Sequence, residues 1–340
     1  MSQTVLVTGA TGFIAKHCIK FLLEAGYQVR GTIRSSASES GLRQLFSGLG
    51  FPAARLSFFV ADLTQDEGWA AAVAGCDYVL HVASPVLNKP PKHEDEAIIP
   101  ARDGTLRVMR AAAAAGVRRV VLTSSASAIS EGHRQSKRRF TEADWSDLTG
   151  KIQAYGKSKT LAEKAAWEFS QGPEARQMEL VTICPGYVFG PVLDDSRVSP
   201  SIDMVRRSLL GEYPGSARLS LPSIDVRDLA AAHVAAMVKP EIAGERLIAV
   251  KETIWLTELS QILAAAYGPR GYKVRIRELP DFLVKLASLF DPQIRLIVDM
   301  LGKELLFDDR HSRSLLGEPR NSARDAILAT AESLIAQGMV

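Results

Sequence analysis

The chain has 340 residues, 46% of them hydrophobic and 23% charged, and 41 Lys+Arg against 38 Asp+Glu leave a formal net charge of +3. This is an ordinary globular composition with room for about two packing units, and it excludes disorder, collagen and coiled coil. Three surplus charges are no electrostatic footprint for a phosphate backbone, so nucleic acid is not expected as a partner. Cys18, Cys76 and Cys184 are odd in number and widely spaced, which indicates neither a disulfide framework nor a metal site and fits a reducing compartment. The Met-Ser-Gln-Thr start enters an apolar strand without the basic region of a signal peptide, and no apolar run approaches the ~20 residues of a bilayer span. A cytoplasmic protein without membrane contact is expected.

Short β-branched runs alternate with longer helical patterns through the first half, the sign of βαβ units and a parallel sheet. Strands are predicted at residues 5–7, 28–32, 57–60, 78–82, 120–123 and 181–183, with a weaker seventh at 247–250. They are near-continuous apolar runs, as in a sheet covered on both faces. One helix is predicted over 12–25, stopping at Gly26, and another runs through Leu106 and Met109 to Ala115, stopping at Gly116. After Pro185 the alternation fails, and Pro191, Pro200, Pro214 and Pro222 punctuate loops around a short helix at 204–210. Asp225 is expected to cap a helix over 229–237, with Asp228 one turn inside it. From Leu256 onward the pattern is amphipathic helix, broken at Pro280, Pro292 and Gly317.

Thr8-Gly9-Ala10-Thr11-Gly12-Phe13-Ile14-Ala15 lies between the first strand and the first helix. There Gly9 permits a tight turn, Gly12 lets a pyrophosphate approach the backbone, Ala15 keeps helix and strand close, and N–H groups near Phe13 and Ile14 supply donors. The acid that usually binds the adenosine ribose after the second strand is absent. That strand instead ends in Arg34-Ser35, and a guanidinium can pair with a ribose 2′-phosphate, so NADP is expected over NAD. Asp62, ending the third strand, is placed either to contact adenine or to cap its own loop.

Tyr155 and Lys159 are four residues apart on a helix that continues through Leu161, Ala162 and Glu163, so they share one face. An ammonium about 5 Å from a phenol, at an effective dielectric of ~20, stabilises the phenolate by roughly 3 kcal/mol and lowers a pKa near 10 by about two units. Ser124 and Ser125 end the fifth strand at the carboxyl edge of the sheet, where doubly wound folds bind ligands. If the strand stays extended they point to opposite faces, so only one reaches a substrate carbonyl. The histidines at 17, 81, 93, 133, 233 and 311 occur singly, without metal-ligand spacing, and there is no hydrolase elbow.

Taken together, the glycine turn, the strand-end serine and Tyr-x-x-x-Lys resemble the short-chain dehydrogenase/reductase superfamily in its extended branch, over nearly the whole chain. Gly12-Phe13-Ile14-Ala15-Lys16-His17, Val29 to Ser35, His81-Val82-Ala83-Ser84-Pro85 and the run from Pro185 to Pro191 are similar to segments of one group. That group contains dihydroflavonol reductase, cinnamoyl-CoA reductase, yeast methylglyoxal reductase and microbial aldehyde reductases. The resemblance implies an α/β fold: a Rossmann doubly wound parallel sheet binding NADP (1–187 with 223–253) and a smaller, mostly helical C-terminal substrate lobe (188–222 with 254–340). It implies Ser125, Tyr155 and Lys159 as the catalytic set, the serine chosen by its place before Ala126. NADPH would be held by Gly9, Thr11, Gly12, Phe13, Ile14, Arg34, Asp62, Leu63, Val82, Ala83, Ser84, Tyr155, Lys159, Pro185 and Val188. Ser84, Val86, Ala126, Ile129 and Tyr187 would face a medium-sized hydrophobic or aromatic carbonyl substrate.

Lys151-Ile152-Gln153-Ala154 departs from the Asn-Trp-Tyr-Cys segment of plant cinnamoyl-CoA reductases, which speaks against their kind of thioester. The basic stretch 132–140 borders the substrate in relatives and otherwise reads as a solvated loop. The expected protein is an NADPH-dependent carbonyl reductase, a monomer or homodimer. A 3β-hydroxysteroid dehydrogenase or nucleotide-sugar epimerase of the same branch, and a non-catalytic dinucleotide sensor, stand as alternatives.

Overall fold

The computed structural model describes residues 3–85, 91–133, 137–175, 177–195 and 199–340. The strands are β1 (Thr4–Val7), β2 (Gln28–Ile33), β3 (Leu56–Val60), β4 (Tyr78–His81), β5 (Arg119–Thr123), β6 (Lys137–Phe140), β7 (Glu179–Pro185), β8 (Tyr187–Phe189), β9 (Ser220–Asp225), β10 (Arg246–Ala249), β11 (Glu252–Trp255) and β12 (Glu304–Phe307). The helices of the first half are α1 (Phe13–Glu24), α2 (Glu39–Gly48), α3 (Trp69–Val73), α4 (Asp95–Ala114), α5 (Ser127–Ser130) and α6 (Ala154–Gln171). Those of the second half are α7 (Pro200–Leu209), α8 (Val226–Val238), α9 (Leu256–Tyr267), α10 (Asp281–Ala287), α11 (Pro292–Ile297), α12 (Arg310–Leu316) and α13 (Ala323–Ala336).

Seven strands form one parallel sheet in the order β10-β7-β5-β4-β1-β2-β3. All seven predicted runs are in it. Their apolar side chains explain the position: Val5, Leu6, Val7, Val120, Val121 and Val181 are wholly buried, each worth about 1.5–3 kcal/mol of transfer free energy. Gly26 and Gly116 take positive φ just beyond α1 and α4. Helices α1 and α8 pack together on one face, among Ile19, Leu22 and Leu229, and α4 packs against α6 on the other, among Val108, Met109 and Ala166. The strand order changes direction between β1 and β4, which places a ligand crevice outside their carboxyl ends.

A second core gathers Phe189, Ile202, Leu209, Leu221, Leu259, Leu263, Ile327 and Leu334, and Phe13 packs against both cores. This region is more strand-rich than expected. It contains a three-stranded sheet, β11-β9-β8, and a parallel pair, β12-β6. The basic Lys137-Arg138-Arg139-Phe140 run has no apolar alternation, and its strand exists through pairing with the distant β12, so tertiary context overrides the local pattern. Residues 134–136 of that stretch lie outside the described residues. Asp225 does cap α8, accepting the Arg227 N–H at 2.7 Å, while Asp228 accepts the N–H groups of Arg320 and Asn321 and so fastens the C-terminal segment. Among the described residues no helix is long and apolar enough to cross a membrane.

Candidate active site

The crevice is built from the β1–α1 turn upward. Gly9 has φ +70°, and a Cβ there would stand 3.0 Å from the Ala83 Cβ, so both conformation and space require glycine. The Gly9 N–H donates to the Thr32 hydroxyl at 2.9 Å, and the Gly12 N–H donates to the Gly9 carbonyl at 2.8 Å. α1 then begins without a side-chain cap and without an acid in its first turn, which leaves its N-terminal donors open to an anion. The Thr8 hydroxyl accepts the Ala83 N–H at 2.9 Å and is hydrogen-bonded to His81 Nδ1 at 2.9 Å. This pair ties the turn to the exit of β4, where Val82, Ala83 and Ser84 are half-buried, as are Thr11, Gly12, Phe13 and Ile14 at the start of α1.

Arg34 is exposed at the end of β2. Asp62 uses Oδ1 to accept both the N–H and the hydroxyl of Thr64, at 2.8 and 2.7 Å, so it caps its own loop. Those bonds hold its carboxyl below the usual range, and the Arg34 guanidinium adds to the effect. Leu63 lies against α4: its Cβ is 2.7 Å from where a Gly104 Cβ would be, and its carbonyl accepts from Arg107 at 2.9 Å.

Across the crevice, Ser125 accepts the Ser127 N–H at 3.1 Å, and its hydroxyl acts on the Tyr155 phenol. Tyr155 opens α6 and is 45% exposed. Burial pushes the phenol pKa up, the Ser125 hydroxyl opposes this, and the Glu131 carboxylate adds to it. The expected lowering by Lys159 is therefore not what this geometry produces. The buried Lys159 ammonium donates to the Thr123 carbonyl at 3.2 Å, and burial pulls its pKa down to about 8. Tyr187 belongs to the same cluster, its pKa pushed up to about 12 by burial and then by Glu131 and Tyr155.

Pro185 is buried, and its carbonyl accepts the Ala126 N–H at 2.8 Å, joining the ends of β5 and β7; Val188 is buried in the main core. Ala126 is buried near Ser125, and Ser84 and Tyr187 are half-buried. Ile129 departs from expectation: it is wholly buried in a cluster with Phe140, Cys184 and Ile248, and has no surface with which to meet a substrate. Val86 lies outside the described residues.

Sequence reasoning missed two features. The first is a cavity of about 400 Å³ between segments 130–133 and 151–153 and the distant 299–305, with Glu131, His133, Gln153, Met300 and Lys303 on its walls. None of the named substrate contacts lines it, but the two segments the sequence singled out do: the 132–140 stretch, through Gly132, His133 and Phe140, and the unusual Lys151-Ile152-Gln153 segment. The second is Glu163, which continues the Tyr155–Lys159 face by four more residues. Its buried carboxylate receives the hydroxyls of Ser124 at 2.5 Å and Thr182 at 2.9 Å and pairs with Arg246 Nε at 2.6 Å. Arg246 also stacks on Trp145 at 3.8 Å and donates to the Glu142 carbonyl at 2.8 Å. Removing one partner of such a buried pair typically costs about 3–5 kcal/mol. Among the described residues no cluster of His, Cys, Asp and Glu could hold a metal ion.

The fold and crevice define a dinucleotide-binding protein of the doubly wound α/β class. Residues 5–248 match the NAD dependent epimerase/dehydratase family. Cinnamoyl-CoA reductase 1 of Arabidopsis thaliana is 38% identical over 255 residues, 73% of this chain and 70% of that protein. Dihydroflavonol 4-reductase of Zea mays is 36% identical over 294 residues, 82% and 79% of the two chains. The crystal structure of yeast methylglyoxal/isovaleraldehyde reductase Gre2 complexed with NADPH superposes with a TM-score of 0.81 at 27% identity, covering 99% of this chain and 100% of that one. This chain belongs to the NAD dependent epimerase/dehydratase family, the extended short-chain dehydrogenase/reductases.

Proposed function

We propose that this protein is an NADPH-dependent carbonyl reductase that converts a ketone or aldehyde to an alcohol, with Tyr155 as the proton donor. The coarser activity, an NAD(P)-dependent reductase, follows from the family and from relatives that are named reductases. The residues fit NADPH in particular. The turn at Gly9 and the open N-terminus of α1 suit a pyrophosphate, and the exposed Arg34, with no acid after β2, suits a 2′-phosphate.

Bound NADPH supplies the hydride. Ser125 donates to the carbonyl oxygen as negative charge develops on it, and Tyr155 passes its phenolic proton to that oxygen. Lys159, mostly charged at neutral pH with a pKa of about 8, opposes the charge left on the phenol. The same groups serve alcohol oxidation in reverse. We assign the 400 Å³ cavity to the remainder of the substrate, a volume suited to a medium-sized molecule.

The single observation that carries this reading is the bond from the Lys159 ammonium to the Thr123 carbonyl at 3.2 Å, which fastens the helix that carries Tyr155 to the end of β5, where Ser125 follows at the carboxyl edge of the sheet. The test is a spectrophotometric screen of NADPH oxidation against aldehydes, aromatic ketones, β-ketoesters and flavanonols. Turnover of at least one class, faster with NADPH than with NADH, is expected. A protein that binds NADPH but turns over none of them would contradict the reading.

A further inference from the structure

The first turn of α6 carries Tyr155 but has no acid of its own, and the N-cap residue Gln153 makes no side-chain cap. A carboxylate reaches this turn from another segment. Glu131, just beyond α5, accepts the Gln153 N–H through Oε2 at 3.2 Å. Its backbone is pinned on both sides: its N–H donates to Ser146 Oγ at 2.9 Å, and its carbonyl accepts the Asp147 N–H at 2.9 Å. The carboxylate lies directly over Gly156, the residue after Tyr155. A Cβ at Gly156 would stand 2.2 Å from Oε2 and 2.5 Å from Cδ, so glycine is what lets the acid sit there.

We propose that Glu131 is a positioning residue for Tyr155: it caps α6 from outside the helix, holds the phenol toward Ser125, and by its negative charge keeps the phenol protonated until the substrate oxygen becomes the stronger base. The proposal rests on the reading of Tyr155 as proton donor. The Glu131 carboxylate favours the phenol that precedes transfer over the phenolate that remains after it. The direction is supported by Tyr155 and Tyr187, both pushed upward in part by this carboxylate. The titratable and charged groups facing Glu131 are Tyr155 on α6 and Tyr187 on β8; across the cavity stand His133, Lys151, Asp299, Lys303 and Glu304.

Two variants separate charge from shape. Glu131→Gln keeps the volume and an oxygen acceptor for the Gln153 N–H but removes the charge, whereas Gly156→Ala keeps the charge but displaces the carboxylate. The readout is the pH titration of Tyr155 by NMR of protein labelled with ¹³C at tyrosine Cζ, the resonance assigned by its loss in Tyr155→Phe. Both variants should titrate at lower pH than the wild type, Glu131→Gln by about one unit, the effect of a unit charge at close range. The high-pH limb of kcat for a carbonyl compound found in the screen should move the same way.

An unmoved Tyr155 titration in Glu131→Gln would overturn the proposal, and so would lowered turnover with an unmoved titration, which is the mark of a merely structural residue. The NMR titration needs no substrate. A protein that reduces no carbonyl therefore contradicts the proposed function without touching the Glu131–Tyr155 coupling.

Discussion

Ser124 donates its hydroxyl to the buried carboxylate of Glu163 at 2.5 Å, while its neighbour Ser125 acts on the Tyr155 phenol and favours its ionised form. Just beyond β5, adjacent residues thus send one serine to Glu163 and the other toward Tyr155. Ser125→Ala should lower turnover by one to three orders of magnitude, roughly the effect of losing one donor to a developing oxyanion, with little change in melting temperature. Ser124→Ala should leave turnover within a few-fold but cost about 1–3 kcal/mol, because Glu163 loses a buried donor. Turnover and thermal melts of the two variants in one buffer decide it. The opposite assignment of effects would shift the active register by one residue.

Cofactor choice is predicted from Arg34. Arg34→Glu replaces an attraction for a 2′-phosphate with a repulsion, so the preference for NADPH should shrink by at least a hundredfold in kcat/KM. Steady-state kinetics with NADPH and NADH measure this. An unchanged preference would move the 2′-phosphate site elsewhere.

The buried ammonium of Lys159 serves chemistry at the expense of stability. Its pKa is about 8 in the fold against 10.5 ordinarily, so between pH 8 and 10.5 the unfolded chain holds the extra proton and stability rises with pH across that window. At pH 7 the charged group is a net cost. Lys159→Met should therefore be inactive yet more stable at pH 7 by about 1–3 kcal/mol, and this gain should shrink by pH 10.5. Denaturant melts at both pH values check the sign. A less stable variant at pH 7 would contradict the account.

Acid sensitivity should come from buried neutral histidines. Burial lowers His17 and His233 to about 4 and His81 to about 3. His233 is fully engaged as a neutral ring, with Nδ1 donating to the Leu229 carbonyl at 2.8 Å and Nε2 accepting the Thr123 hydroxyl at 2.7 Å. Below pH 6.5 the unfolded chain binds protons that the fold refuses, so stability falls from there toward pH 4, by up to about 3 kcal/mol for each histidine. Urea midpoints between pH 7 and 4.5 should decline, and His233→Gln should flatten the decline. A flat wild-type profile would refute this.

The main sheet was legible because its strands are short, wholly apolar runs whose burial on both faces needs no knowledge of distant partners. The positions of the glycine turn, Arg34, Ser125 and the Tyr155–Lys159 pair in the fold were legible for a related reason: each depends on local spacing at the end of a strand or the start of a helix. What could not be read depends on long-range pairing. β6 forms only against β12, the 400 Å³ cavity needs residues 299–305, and Glu131 and Glu163 acquire their meaning from Gln153 and Arg246. Ile129 looked like a pocket residue from its place after Ala126, but one turn of α5 carries it into the core. The upward direction of the Tyr155 pKa could not be read because spacing shows neither the burial nor the distant Glu131 carboxylate that produce it.

The central claim is that Tyr155 delivers the proton in an NADPH-dependent reduction, and its most direct test is pre-steady-state turnover of Tyr155→Phe beside the wild type, with NADPH affinity measured separately by fluorescence titration. The ring still packs in the variant, and only the hydroxyl is lost. The account predicts a fall of about a hundredfold or more in the rate of NADPH oxidation by a reducible carbonyl, with NADPH affinity and melting temperature essentially kept. A Tyr155→Phe enzyme that retains most of its wild-type rate would contradict it.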